Sequence, residues 1–484
     1  MNGTDAPDAT RIASAGAYAP RLRIATEEYR EAWDEAPRGI DRTAVPDADE
    51  DAFTMGHEAA VRALSAGGYD GGEIEFLALG TTTPPMAEEE LTARLRSTLG
   101  LPAGVATQTH TGSTRAGVAA LEAGLDAGQR GLVVASDCPQ GEPESDIERA
   151  AGAGAAAFVL DDSGARVVDR ATYTEPYPGT RFRQRGETDV QGLGITPYDR
   201  TAFRETLAGA VERLDGDEDP GAVDAAAIQA PDGDLPYRVS GALGVDAEAI
   251  DATETVRDLG ATGAASAPLG LAQALADGAD RILIASFGSG AGASAMLIEC
   301  SERDEIPADM ALAGDVSLSY PDYLRRRGEI TGGPPAGGGA AVSVPSWRRT
   351  LPQRHRLVAG KCPECGALAF PPEGACRVCA ELVEYESVRL TDPGRVQAVT
   401  TIERGGEPPE FVPQQSRGGP YGVAVVAFDG PDGGTATVPM QVPLTGVESI
   451  EVGDDVETTI RRIYEDEGVI RYGRKALPVN SLVE

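Results

Sequence analysis

Four cysteines in the C-terminal third of the chain have the spacing of a metal site. Two Cys-x-x-Cys pairs, Cys362 with Cys365 and Cys376 with Cys379, are separated by ten residues. Thiolates at this spacing bind Zn²⁺ tetrahedrally, and four protein ligands leave no position open for water. We predict a structural zinc site in preference to disulfides or a redox dithiol, since the chain shows no sign of secretion.

A second group that could do chemistry surrounds residue 114. Ser113 and Thr114 precede a helix rich in small residues, and His110 lies close by in sequence. A hydroxyl beside a base can accept an acyl group, but an alcohol is a weak nucleophile at neutral pH. The simpler interpretation is that both hydroxyls cap the helix and that His110 is a strand or turn residue.

Histidines and the remaining cysteines limit the alternatives. The three histidines are His57, His110 and His355, so residues 111–354 contain none. Cys138 and Cys300 lie outside the metal pattern, and we interpret them as small buried apolar residues. The central part of the chain therefore cannot supply an imidazole.

Short apolar runs in the first two thirds indicate the strands that must position these residues. They alternate with helical patterns, as in buried parallel strands of an α/β fold: 74–79, 131–136, 225–230 and 281–287. Residues 114–136 and 261–286 share a small-residue helix, a glycine turn and an apolar strand. This shared spacing favours two duplicated halves over a chance likeness of Ala-rich helices.

The last third has a different pattern. Alternating β-branched segments at 396–402, 421–428 and 456–463 predict a small β barrel. A Gly/Pro-rich stretch around 332–339 predicts a linker before it.

Composition excludes several classes of function. The net charge is -35, and only two of the 42 basic residues are lysines. Such a charge is self-repelling unless salt screens it, which suggests a halophile, and it disfavours nucleic acid as the main partner. Because no apolar run is long enough to span a membrane and the N-terminus lacks a basic, apolar leader, we expect a cytoplasmic protein.

Several motifs resemble a known family of acyl-CoA enzymes. The segments that carry the likeness are 15–21, 45–55, Leu79–Pro85, Ala151–Phe158 and Ser286–Gly292. Together they resemble archaeal HMG-CoA synthases, and the last resembles the glycine loop shared with type III ketoacyl synthases. The resemblance, over about residues 8–330, implies a duplicated five-layer thiolase-like α/β fold that binds coenzyme A thioesters. It also places Gly288 and Gly290 in the substrate-binding loop.

The family's catalysis uses a cysteine, a glutamate, a histidine and an asparagine. The matching positions here are Thr114 for the cysteine, Thr82 for the glutamate, Gln229 for the histidine and Ala261 for the asparagine. All four are replaced by small or neutral residues. We therefore expect a catalytically degenerate site with a surviving but uncharged cavity.

The C-terminal region resembles a second family. The cysteine knuckles, Trp347, Phe370–Pro372 and the segment 470–478 are similar to rubredoxin-like zinc-ribbon and OB-fold proteins that accompany thiolases. That likeness implies acyl-CoA binding or docking of a thiolase partner. Basic clusters that include Arg181 and Arg183 suit coenzyme A phosphates, although salt bridges between domains explain them equally well.

These observations predict five segments. They are a thiolase-like N-terminal half (8–168), a C-terminal half (169–330), a linker (331–346), a helix and zinc ribbon (347–385) and an all-β OB barrel (386–484). The favoured function is a degenerate acyl-CoA-binding subunit, as a homodimer or in a complex with a thiolase or related acyl-CoA enzyme. The alternatives are an active HMG-CoA synthase-like acyltransferase with a non-standard or partner-completed site, and a nucleic-acid-binding OB protein, which the charge disfavours.

Overall fold

A computed structural model describes residues 10–214, 223–300, 305–330, 344–403, 409–443 and 450–479. The chain divides into two compact units. The first comprises Met1–Pro46 and Asp51–Tyr320, and the second comprises Asp47–Glu50 and Pro321–Glu484. Most of the predicted linker, residues 331–343, lies outside the described residues. The division of the first unit at residue 168 stays a prediction.

The first unit is a mixed α/β structure. Its strands are β1 (Arg11–Tyr18), β2 (Leu22–Ala25), β3 (Arg42–Val45), β4 (Phe76–Gly80), β5 (Ala106–His110), β6 (Gly131–Asp137), β7 (Gly154–Asp161), β8 (Arg166–Thr174), β9 (Ala225–Ile228), β10 (Arg281–Gly288), β11 (Gly292–Glu299), β12 (Ala308–Ala311) and β13 (Val316–Leu318). Its helices are α1 (Thr26–Trp33), α2 (Ala52–Gly67), α3 (Leu91–Leu99), α4 (Ala116–Ala127), α5 (Asp146–Ala150), α6 (Thr196–Val211), α7 (Leu235–Leu243), α8 (Ala247–Asp251), α9 (Val256–Leu259) and α10 (Ser266–Ala276). The four strands predicted from apolar runs are confirmed.

Two sheets of the first unit repeat one topology. The larger has the order β12-β1-β7-β6-β4-β5 and the smaller the order β8-β11-β10-β9. In the larger sheet β6 is parallel to β4 and antiparallel to β7; in the smaller, β10 is parallel to β9 and antiparallel to β11. This equivalence confirms the predicted duplication.

Helices on both faces of the two sheets complete five layers. Helix α2 packs on one face of the larger sheet, α4 and α10 contact the inner faces, and α6 covers the smaller sheet. Asp51 caps α2 in a reciprocal capping box with Thr54, and nearly all of that helix is buried. The predicted thiolase-like layering is thus confirmed.

Small residues let the central elements approach closely. A Cβ on Gly117 in α4 would lie 2.1 Å from the carbonyl oxygen of Ala264, in the short 3₁₀ turn Gly263–Ala265 that leads into α10. Any side chain larger than hydrogen would push the turn away. The turn therefore stays beside the start of α4, where the candidate residues lie.

The second unit contains a ribbon and an antiparallel sheet. Its helices are α11 (Tyr320–Arg327, whose first residue ends the first unit), α12 (Val344–Arg349), α13 (Leu351–Arg356) and α14 (Val412–Gly418). Its strands are β14 (Val358–Lys361), β15 (Leu368–Ala369), β16 (Glu386–Arg389), β17 (Gly394–Ile402), β18 (Tyr421–Asp429), β19 (Thr435–Val442), β20 (Asp455–Asp466) and β21 (Val469–Pro478). The order β19-β18-β17-β20-β21 confirms the predicted all-β region, while the OB identity stays a prediction.

A membrane-spanning helix is not found among the described residues, since none of their helices combines the necessary length and apolarity.

Candidate functional site

Thr114 lies two residues before α4, at the position predicted to correspond to the family's cysteine. Its hydroxyl donates to the carbonyl of Phe287 at 2.7 Å and accepts from the N–H of Ser289 at 3.1 Å. The side chain is buried. It does not cap α4, which begins without a side-chain cap. The hydroxyl proton is therefore committed to the glycine loop and is not poised for removal by a base.

His110, the candidate base, ends β5 and does not activate this hydroxyl. Its Nε2 atom is buried without a hydrogen-bond partner among the described residues, and burial lowers its pKa. An imidazole that forms no hydrogen bond with Ser113 or Thr114 gives no support to hydroxyl activation.

Asp137 organises the next part of the site, and sequence reasoning missed it. This residue ends β6 and is fully buried. Its carboxylate accepts from the hydroxyl of Thr82 at 2.6 Å and of Thr83 at 2.5 Å, and from the N–H of Ala264 at 2.8 Å. The backbone N–H of Thr82 and the hydroxyl of Thr81 complete the set at 3.0 and 3.3 Å. Thr82, at the position predicted to match the family's glutamate, is therefore a hydrogen-bond donor to a buried carboxylate.

A sequence signal for Asp137 was present. Parallel strands β4 and β6 are neighbours, so the residues that follow their carboxyl ends must lie together. The run of three threonines after β4 and the aspartate at the end of β6 fit this rule. The hydrogen-bond partners of Asp137 could not be assigned without knowing that the two strands are adjacent.

Gln229, at the position predicted to match the family's histidine, follows β9. Its Nε2 donates to the carbonyl of Gly263 at 2.8 Å, and its Oε1 accepts from the hydroxyl of Ser286 at 3.4 Å. An amide does not titrate in water, so this residue cannot shuttle a proton. Ala261, at the position predicted to match the family's asparagine, is held by its backbone, whose N–H donates to the carbonyl of Ala150 at 2.7 Å. Its methyl group offers no hydrogen bond to a thioester oxygen.

Cys138 follows Asp137 and is not an alternative nucleophile. Burial raises the pKa of its thiol to about 12, although the Thr83 hydroxyl partly opposes this. The thiol therefore stays protonated at neutral pH. Both Cys138 and Cys300 are half-buried, so the prediction that they are buried is only partly right.

A cavity of about 930 Å³ is bounded by three of the four predicted positions: Thr114, Gln229 and Ala261. Apolar side chains such as Phe203 and Phe287 also line it. Thr82 is not part of the wall in the described structure. The cavity predicted from the sequence therefore exists, and its size is typical of sites for small organic ligands.

Charged side chains on the wall correct the prediction of an uncharged cavity. Arg181, Asp146 and Asp199 all line it. The prediction considered only the four replaced catalytic positions, whereas these charges come from α5, from α6 and from the loop that precedes α6. That loop reaches the site only through the tertiary fold.

The predicted binding residues have different environments. Arg181 lines the cavity, whereas Arg183 is exposed and donates to the carbonyl of Thr82. Gly288 lies outside the wall, and a Cβ on it would lie 2.6 Å from the Ser113 hydroxyl oxygen. Gly290 has φ +109° and donates its N–H to the Thr180 hydroxyl at 3.3 Å. The two glycines therefore shape the end of β10 and the turn that follows Phe287.

The four knuckle cysteines come together in the second unit as predicted. Their Sγ atoms lie within 4.8 Å of one another, with Cys362 and Cys379 separated by 3.7 Å and Cys365 and Cys376 by 3.6 Å. A tetrahedron with Zn–S bonds of about 2.3 Å has S···S edges of roughly 3.8 Å, so the cysteines fit Zn²⁺. The N–H groups of Cys379 and Val378 lower the pKa of Cys376 to about 6, which favours its thiolate.

Comparisons with known proteins decide the family. The hydroxymethylglutaryl-CoA synthase of Methanopyrus kandleri is 30% identical over 353 residues, which cover 66% of this chain and 97% of that protein. That of Caldivirga maquilingensis is 33% identical over 347 residues, with 97% of its length covered. The chain belongs to the hydroxymethylglutaryl-CoA synthase family.

Solved structures agree with this family assignment at the level of the fold. An HMG-CoA synthase complexed with CoA has a TM-score of 0.59 and 18% identity, covering 69% of this chain and 94% of that one. The 3-oxoacyl-[acyl-carrier-protein] synthase III from Aquifex aeolicus has a TM-score of 0.53 and 18% identity, covering 60% and 99%. The predicted likeness to both groups is confirmed.

A second match accounts for the metal-ligand pattern. Residues 349–383 match the rubredoxin-like zinc ribbon domain of ChsH2, which confirms the predicted zinc ribbon. This HMG-CoA synthase family member therefore carries a zinc ribbon after its thiolase-like unit.

Proposed function

We propose that this HMG-CoA synthase family member binds an acyl-CoA thioester in the cavity of its first unit without carrying out the condensation. The observation that carries this proposal is the state of Thr114, whose hydroxyl donates to Phe287 while the nearby Gln229 amide cannot act as a base. The cavity remains, so a ligand still has a place to bind.

The chemistry of a thioester shows why this site can bind a ligand without catalysing its condensation. Condensation needs a nucleophile, a titrating acid/base and a donor to the thioester oxygen. The three corresponding wall residues supply a hydrogen-bonded hydroxyl, a neutral amide and a methyl group. The thioester would therefore be held and not cleaved.

In this proposal the second unit binds the partner enzyme. Zn²⁺ bound by the four cysteines would hold the ribbon folded and, being closed to water, would not catalyse. The adjoining sheet, which we interpret as an OB barrel, would dock a thiolase or a related acyl-CoA enzyme. The holding subunit could then pass its ligand to an active one.

Calorimetry in molar KCl, run beside an assay for free coenzyme A thiol, tests the proposal. We expect acetyl-CoA and acetoacetyl-CoA to bind without thiol release. Ala261→Leu should abolish binding because its side chain would enter the cavity, whereas Ala103→Leu, at an exposed position, should bind as the wild type does.

Turnover would contradict the proposal. Thiol release by the wild type that Thr114→Ala abolishes would instead establish an active synthase with a non-standard nucleophile. Absence of binding would show that the cavity no longer serves a thioester.

A further inference from the structure

Arg471, in the second unit, is a buried cation without a counter-ion in the described part of the chain. Only 4% of the residue is exposed, and its Nε is buried without a hydrogen-bond partner. No ion pair or hydrogen bond joins its guanidinium to another residue of the described ranges. The guanidinium instead lies over the ring of Trp347, 4.5 Å from the ring centroid. Because a guanidinium stays protonated and has five N–H donors, enclosing it unpaired is costly.

The indole of Trp347 adds a second orphaned donor at the same place. Its ring face attracts a cation, but its Nε1–H can only donate. That Nε1 is itself buried without a partner among the described residues. Two donors cannot satisfy each other, so both need an acceptor. Beside a guanidinium, an acceptor that carries a negative charge forms the stronger hydrogen bonds.

The elements that carry this stacked pair contain no carboxylate. Residues 344–356, which include α12 and α13, have neither Asp nor Glu, and the same holds for β21. This composition reverses the sign of the charge locally in a chain whose net charge is -35. A local excess of cations favours an anion as the missing acceptor. The basic residues of these two elements are Arg348, Arg349, Arg354, Arg356, Arg471, Arg474 and Lys475.

The other two cations of β21 already have acidic partners. Arg474 lies 3.8 Å from Asp392, and Lys475 lies 2.9 Å from Asp49. Arg471 differs from its neighbours on the strand, since no described carboxylate neutralises it.

Acidic residues on the facing strand β20 do not neutralise Arg471 either. Tyr464 is its partner in the sheet register, and Glu465 and Asp466 follow along β20. The Glu465 side chain is 52% exposed and pairs with Arg462 at 3.5 Å. Within the described structure, neither carboxylate forms an ion pair with Arg471. The acceptor must therefore come from outside these elements.

The burial of Arg471 limits the size of that acceptor. A residue that is only 4% exposed can be reached by a single ion, which is close to a water molecule in size. A phosphate ester or a large organic acid would need additional room for the rest of its structure. A monatomic anion fits both the charge and the space.

We propose that Arg471 and Trp347 bind a small monovalent anion of halide size, with chloride as the ligand, and that this anion stabilises the second unit. It neutralises the guanidinium and accepts from both orphaned donors. Both residues belong to the second unit, so the inference is independent of thioester binding in the first.

The chloride dependence of folding tests the proposal on the full chain. In a Trp33→Phe background, Trp347 fluorescence follows urea unfolding of the second unit while potassium chloride replaces potassium gluconate at constant ionic strength. Above the dissociation constant, each tenfold rise in chloride should raise the folding equilibrium constant nearly tenfold. Arg471→Met should remove this dependence, because the variant has no buried charge to neutralise.

Arg395→Met is the matched control. Arg395 is an exposed arginine on β17, in the same sheet as β21. This variant should keep the full chloride dependence. General effects of salt on hydrophobic burial act on all the proteins alike, so the difference in dependence isolates the site.

Direct binding measurements keep the test valid even without a folded Arg471→Met variant. The chloride NMR line should broaden in the presence of the wild-type protein and narrow again when bromide competes for the site. Trp347→Phe keeps an aromatic ring under the guanidinium but removes the N–H donor. It should weaken chloride binding by about 10-fold.

Three outcomes would overturn the proposal. The first is an equal chloride dependence of folding in the wild type and in Arg471→Met. The second is the absence of line broadening with the wild type, since another group would then neutralise Arg471. The third is a larger stabilisation by acetate than by chloride that Arg471→Met removes, because the ligand would then be a carboxylate and not a halide.

Discussion

Nζ of Lys475 lies 2.9 Å from Oδ2 of Asp49, and the side chains of both are almost completely buried. Both residues belong to the second unit, although they are 426 positions apart in sequence. Glu50 repeats the pattern by pairing with buried Arg461 at 3.1 Å. The acidic segment Asp47–Glu50 is therefore fixed to the rest of that unit by buried ion pairs.

Replacing Lys475 by Met should destabilise the second unit by about 3–5 kcal/mol, because it leaves the Asp49 carboxylate buried and unpaired. Lys361→Met is the matched control. Its partner Asp432 is largely exposed, so the loss should stay below about 1 kcal/mol. The chain has two tryptophans, and in a Trp33→Phe background the fluorescence of Trp347 reports unfolding of the second unit. Equal losses of stability in Lys475→Met and Lys361→Met would show that the buried pair contributes no more to stability than the exposed pair does.

The stability of the second unit should also depend on pH through Asp47. Burial raises the pKa of its carboxyl to about 7, with Arg326 opposing the shift and Asp49 and Glu50 adding to it. In the unfolded chain the value is about 3.9. The folded state thus binds the proton more tightly, and its stability falls as the pH rises from about 4 to 7.

Asp47→Asn isolates that contribution. The free energy of unfolding of the wild type relative to the variant should decrease between pH 5 and pH 7 and become constant above pH 8. The total change is at most about 4 kcal/mol. Denaturant titrations that follow Trp347 provide the measurement, and parallel pH profiles would contradict the assignment.

Gly263→Ala should damage the site. Gly263 has φ +54°, and a Cβ would lie 2.1 Å from Oδ2 of Asp137. The backbone conformation alone costs about 1–2 kcal/mol for a non-glycine residue, and the clash should bring the loss above about 3 kcal/mol. Gly278→Ala has φ +74° but open space around the new methyl group, so it should show the backbone cost alone. Calorimetric unfolding measures the stability of both variants. Similar losses of stability in Gly263→Ala and Gly278→Ala would mean that the turn at Gly263 moves to accept the methyl group at no energetic cost.

Zinc removal should unfold the ribbon. A chelator or Cys376→Ser is expected to release a single Zn²⁺ and to change the Trp347 fluorescence, because thiolate binding supplies much of the folding free energy of such ribbons. Cys300→Ser, outside the cluster, should retain the metal. Metal analysis by mass spectrometry gives the stoichiometry, and an unchanged ribbon after complete metal loss would be incompatible with a structural role.

Cys138 should resist alkylation. With a thiol pKa of about 12, its thiolate fraction at pH 8 is far below that of an ordinary cysteine. Iodoacetamide should therefore modify the zinc-loaded native protein at Cys138 much more slowly than the urea-unfolded protein, as peptide mass mapping can show. Rapid native labelling would return Cys138 to consideration as a nucleophile.

Local patterns predicted the fold and the metal ligands well. The strands around Val133 and Ile284 and the Cys362–Cys379 knuckles depend on residues close in sequence, so spacing was enough to predict them. Asp137 was different, and Arg181 was singled out only as part of a basic cluster. Which strand ends adjoin and which loop folds over the cavity are set by long-range contacts, and these leave no periodic trace in the chain.

The near absence of lysine has a chemical consequence for the proposed function of holding thioesters. Activated acyl groups react with side-chain amines even without an enzyme. Here one of the two lysines, Lys475, is enclosed with Asp49, and the other, Lys361, is engaged by Asp432. Arginine, which replaces lysine elsewhere, keeps its charge and is a far poorer acyl acceptor at neutral pH because it stays protonated. A subunit that holds a thioester, as proposed, would therefore run little risk of acylating itself.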